Sequence, residues 1–100
     1  MQPGHLLLPD DVVRQTFSTT RLRAGYEVDQ VDQLLDDVVA TMRAHLDGSP
    51  IARPVRADDV AAVRFEVTRF RARYDMAEVD GFLDRVQATL AALERGDRPS

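Results

Sequence analysis

The chain has no cysteine and no tryptophan in its 100 residues. Without cysteine there are no disulfides, no thiolate metal sites and no cysteine nucleophile, which suits a reducing compartment. Aromatic residues make up only 6% of the chain, so a repeated aromatic position carries weight. No apolar run exceeds four residues, far short of the ~20 that a membrane-spanning helix needs. The first residues lack the basic stretch and apolar core of a secretory signal, and a cytoplasmic location is expected. No nucleophile–base pattern, glycine-rich phosphate loop or metal-ligand spacing occurs, so the chain is expected not to be an enzyme and to need no cofactor.

What is present is ordinary in amount and unusual in order. Hydrophobic residues are 44% and charged residues 30%, the balance of one small globular domain. A chain this short buries only about two-thirds of its unfolded surface, leaving little spare stability. The net charge of −4 argues against nucleic acid as a partner. Positive charge is nonetheless concentrated, at Arg21 and Arg23 and again at Arg69, Arg71 and Arg73. Acidic residues follow each cluster: Glu27, Asp29, Asp32, Asp36 and Asp37, then Asp75, Glu78, Asp80 and Asp84. Local charge, not the total, decides what such a surface meets.

The order is a duplication. Shifted by 48 residues, Asp10–Met42 lies on Asp58–Leu90 with 16 identities in 33 positions. A tandem repeat means that each copy is one unit needing a neighbour to bury its apolar face. The copies span about 9–46 and 57–95, with a proline-containing linker at 47–56 inside a single domain 1–100.

Each copy opens with a helix-start signal, Pro9-Asp10-Asp11 and Ala57-Asp58-Asp59, where acidic residues face the positive end of the helix dipole. Short helices are expected to about Thr16 and Phe65. Loops follow, through Gly25 and from Glu66 to Tyr74. Long helices are expected from Glu27 to His45 and from Asp75 to Arg95, the second capped by Asp75 with Glu78 three residues on. Their apolar positions step by 3 and 4: Val31, Leu35, Val38 and Met42, then Val79, Leu83, Val86 and Leu90. That is the spacing of a coiled-coil seam. The expected fold is all-α: two tandem short-helix–loop–long-helix repeats whose long helices pair in coiled-coil fashion. The ten-residue linker can span ~33 Å and each helix is ~28 Å long, so parallel and antiparallel pairing are both within reach. Residues 1–8 and 97–100 are expected to be tails, with His5 in the first and His45 at the end of a seam.

Leu8-Pro9-x-Asp11-Val12, Phe17, Arg23-x-Gly25-Tyr26 and Val31-Asp32-x-Leu34-Leu35 together resemble the N-terminal domain of the DivIVA family. So do Asp59-Val60, Phe65, Arg71-x-Arg73-Tyr74-Asp75 and Glu78-Val79-Asp80-x-Phe82-Leu83. These are bacterial cell-division and polar-growth scaffolds. The resemblance implies a protein-interaction module that associates with itself, as a homodimer, or with a larger DivIVA-type scaffold. It also implies loop tips at the inner face of the cell membrane: Arg21, Leu22 and Arg23, and Arg69, Phe70 and Arg71. Leu22 stands where the family has a tip aromatic, and Arg73 where it has glycine before tyrosine. No long coiled coil follows the second copy, so a small accessory module is expected in place of a self-assembling scaffold.

Two readings of the tips stay open at this level. Leu22 and Phe70 can be core residues with their arginines paired to Asp32, Asp36, Asp80 or Asp84. Alternatively they can be exposed apolar points beside cationic groups, suited to an anionic membrane surface. Tyr26 and Tyr74 are expected to pack beneath the loops. The seam residues are expected to carry self-association or scaffold docking.

Overall fold

The computed structural model describes residues 6–98. Its elements are α1 (Pro9–Arg14), β1 (Gly25–Glu27), α2 (Val28–Asp47), α3 (Ala57–Ala62), β2 (Val67–Thr68), β3 (Arg73–Tyr74) and α4 (Met76–Glu94). The fold is mixed α/β, and the all-α expectation is wrong. The loops expected between the helices supply a three-stranded antiparallel sheet of order β2-β1-β3. Tyr26, Val67, Thr68 and Tyr74 are the β-branched and aromatic residues that suit strands. Strands of two or three residues are too short to show an alternating pattern, however, and all their partners lie in the other copy.

The pairing has a consequence for topology. Gly25 faces Thr68 and Tyr26 faces Val67, while Tyr26 also faces Tyr74 and Glu27 faces Arg73. Strand β1 is antiparallel to both neighbours, so β2 and β3 run the same way on either side of it. Residues 69–72 must therefore cross over β1 instead of turning back as a hairpin. The mirror contact is the bridge from Thr19 to Tyr74, so residues 20–24 cross β3 in the same manner. Tyr26 and Tyr74 are equivalent under the 48-residue shift, and they pair with each other. A pseudo-twofold axis passes between them.

The same axis repeats the polar contacts. Ser18 N–H donates to Glu78 Oε1 at 2.8 Å and Glu66 N–H to Gln30 Oε1 at 2.7 Å. Asp75 does cap α4, accepting from Glu78 N–H at 3.0 Å. Glu78, however, spends its carboxylate on the other copy instead of closing the expected capping box. At the far end, Leu7 N–H donates to Thr89 Oγ1 at 3.0 Å and Val55 N–H to Thr41 Oγ1 at 2.9 Å. Leu7 is 2% exposed, so the described part of the expected N-terminal tail, residues 6–8, is docked across α4. Residues 1–5, with His5, and residues 99–100 lie outside the described residues.

Both long helices leave the same sheet, so the two crossing loops lie at one end of the molecule. They do not pair as a coiled coil. Contacts between α2 and α4 are fewer than those each makes with the short helix of its own copy, and the molecule measures 42 × 36 × 22 Å. The eight seam residues are all interior: Val31, Val38, Met42, Val79, Val86 and Leu90 at 0%, Leu35 at 8% and Leu83 at 7%. They form one core with Leu7, Val12, Val60, Phe82 and Leu93. Each wide apolar stripe is covered by a short helix and by the segment entering the partner copy's short helix, because a helix ~28 Å long offers more apolar surface than a single crossing can bury. The seam is spent within the chain. Gly48 ends α2 at a φ of 69°, the left-handed position that glycine occupies at least cost.

Candidate functional site

The most exposed large apolar side chains are at the two loop tips, Leu22 at 96% and Phe70 at 95%. Their arginine neighbours, Arg21, Arg23, Arg69 and Arg71, are exposed as well. The reading in which Leu22 and Phe70 are core residues does not hold. A tip so open has no intramolecular partner for its apolar group, which in water is unfavourable unless something else covers it.

The tips are held by the opposite copy. Arg71 Nη1 donates to Glu27 Oε2 at 2.6 Å, and Arg23 Nη2 to Asp75 Oδ2 at 3.4 Å. These are the same pair under the 48-residue shift, and each joins one copy's tip to the residue before the other copy's long helix. The expected acidic partners, Asp32, Asp36, Asp80 and Asp84, do not pair with the tip arginines. Among the described residues, Arg21 and Arg69 make no ion pair. Within each tip a threonine hydroxyl steadies the backbone, Thr20 Oγ1 accepting from Leu22 N–H at 3.3 Å and Thr68 Oγ1 from Phe70 N–H at 3.2 Å.

Beneath the tips the tyrosines cross the axis. Tyr26 donates its hydroxyl to Asp80 Oδ1 at 2.7 Å, and Tyr74 donates to Asp32 Oδ1 at 2.8 Å. Their rings pack on the aromatic that follows the partner copy's short helix, Tyr26 on Phe65 and Tyr74 on Phe17, each pair with centroids 5.2 Å apart. The expectation of tyrosines under the loops holds, with the partner drawn from the other copy. Loss of solvent raises the Tyr74 hydroxyl to about 12, helped by its bond to Asp32 and by the charges of Asp32 and Asp29. The hydrogen bond to Asp80, followed by burial, moves Tyr26 the same way.

Arg73 was counted from sequence among the surface cations. It is 8% exposed. Its Nε donates to the Arg23 carbonyl at 2.8 Å and its Nη1 to the Arg71 carbonyl at 2.9 Å. One guanidinium thus reaches a backbone oxygen in each tip, which places the two tips side by side. The signal available in sequence was the one non-conservative break in the matched motif, arginine where the first copy has Gly25. Thr41 and Thr89 were also missed. They are identical polar residues set within apolar stripes at the repeat distance, and both are buried.

Other features offer less. Two related grooves of about 440 and 500 Å³ lie between the short and long helix of each copy, beside Asp80 and Leu83 in one and Asp32 and Leu35 in the other. His45 is half-buried near the end of α2. Among the described residues, no group of His, Asp and Glu side chains is arranged to hold a metal ion. Among them, no helix is long and apolar enough to cross a membrane. No family model, curated protein or solved structure matches the chain.

Proposed function

We propose that this chain is a non-enzymatic docking module that lays its paired loop tips on an anionic membrane surface. One observation carries the reading: Leu22 and Phe70, each flanked by arginines, stand almost fully exposed on two loops that Arg73 ties together, on an otherwise acidic body. Inserting a Phe or Leu side chain is worth about 1.5–3 kcal/mol, and each arginine near anionic lipid adds roughly 1 kcal/mol. Either tip alone binds weakly. Held side by side, the second tip binds at high effective concentration. The acidic helices are repelled by the same surface, so orientation is fixed with the tips down. The resemblance of both copies to the DivIVA N-terminal domain points the same way, toward the inner face of a bacterial membrane. Docking of a scaffold through the helix seams loses its support, since those residues are interior.

The test is sedimentation with vesicles of phosphatidylglycerol and phosphatidylcholine. The parent should bind at low salt and be released as salt screens the arginines. Phe70→Ser or Leu22→Ser should each lower partitioning roughly ten- to hundred-fold. A parent that stays in the supernatant at low salt, or serine variants that bind as it does, would end this reading.

A further inference from the structure

One difference between the two copies falls where the strands cross at the pseudo-twofold axis. Copy 1 has Gly25 and copy 2 has Arg73. A β-carbon added at Gly25 would overlap the Tyr74 carbonyl oxygen and come within 3.1 Å of Arg73 Cβ. The crossing strands lie so close that a side chain fits on one side of the axis only. On the side where it fits, Arg73 is buried and donates to one carbonyl from each copy.

We propose that Gly25 and Arg73 form a one-sided lock, so that this interface accepts only a copy with glycine opposite a copy with arginine. The competing pairs fail for different reasons. Copy 2 against copy 2 would put an arginine where the backbone already meets Gly25, and real β-carbons do not approach a carbonyl that closely. Copy 1 against copy 1 has room, but neither side carries the guanidinium that donates to the carbonyls of Arg23 and Arg71, so the two bonds that join the crossing loops are lost. Copy 1 therefore pairs with copy 2, inside one chain or by reciprocal exchange between two chains. Growth by like-with-like pairing is blocked, as is pairing of copy 2 with any foreign copy that lacks glycine here. The lock concerns recognition between copies and stands whether or not the tips meet a membrane.

Three full-length variants test it, by thermal midpoint and by mass from light scattering. Arg73→Gly should remain a folded monomer with its midpoint lowered by a few degrees. Gly25→Arg should fall by about 10 °C or more, or fail to give a single folded species. The reversed pair G25R/R73G should recover at least half of that loss, because the axis lets the same donor reach the same two carbonyls from the other side. The lock is refuted if G25R melts with the parent, if R73G is as stable as the parent, or if G25R/R73G is no better than G25R alone.

Discussion

Replacing Thr89 by valine tests whether the copies are clasped at the end remote from the sheet. Valine matches threonine in shape and removes the oxygen that accepts from Leu7 N–H at 3.0 Å. Thr89 and Leu7 are each 2% exposed, so water cannot replace that acceptor in place. A buried N–H left without a partner costs about 1–3 kcal/mol. If residues 6–8 peel away to regain water, Leu7 leaves the core, and that forfeits about 1.5–3 kcal/mol of burial. By either route the loss is ~2 kcal/mol. At about 4–8 °C per kcal/mol for a chain this size, the thermal midpoint should drop by roughly 8–16 °C. Thr89→Ser keeps the acceptor and loses one methyl, about 0.5–1.5 kcal/mol by analogy with Ile→Val. The expected order is parent, then serine, then valine, read by circular dichroism melts. Valine equal to serine or to the parent would show that the hydroxyl does not hold the segment.

Two further outcomes follow from the same contacts. Leu83→Asp should destroy the native fold, not merely dissociate subunits, because Leu83 is 7% exposed in the core and an isolated buried carboxylate costs several kcal/mol; native-like amide dispersion in that variant would contradict this placement. Tyr74→Phe should cost stability near neutral pH, where the hydroxyl bonds Asp32. The hydroxyl is raised from 10 to about 12 in the folded chain, so its contribution is full below pH 10 and is lost as pH climbs toward 12. Denaturant midpoints of parent and variant should therefore converge across that window, and a constant gap would show that the hydroxyl is not linked to folding.

The helices were legible because their causes are local. Asp11 and Asp59, three residues into α1 and α3, reach back to the N–H of Leu8 and Arg56 at 2.8 and 2.9 Å. Such caps, like the 3-and-4 spacing of Val31 to Met42, can be read from neighbours in the chain. The coiled-coil expectation failed because spacing tells which face is apolar and not what covers it. Here Val12, Val60 and the segments ending in Leu7 and Val55 cover it, and the long helices touch only briefly.

Sequence by itself determined the duplication, the four helices, the buried stripe of each long helix and the two basic tips. Only tertiary structure decided that the loops become crossing strands, that Leu22 and Phe70 face outward, and that Arg73 turns inward to join both tips. The physical reason is range. A cap or a stripe is set within one or two helical turns, whereas Gly25 meeting Thr68, or Arg73 reaching the Arg23 carbonyl, exists only once the two copies have been threaded through each other.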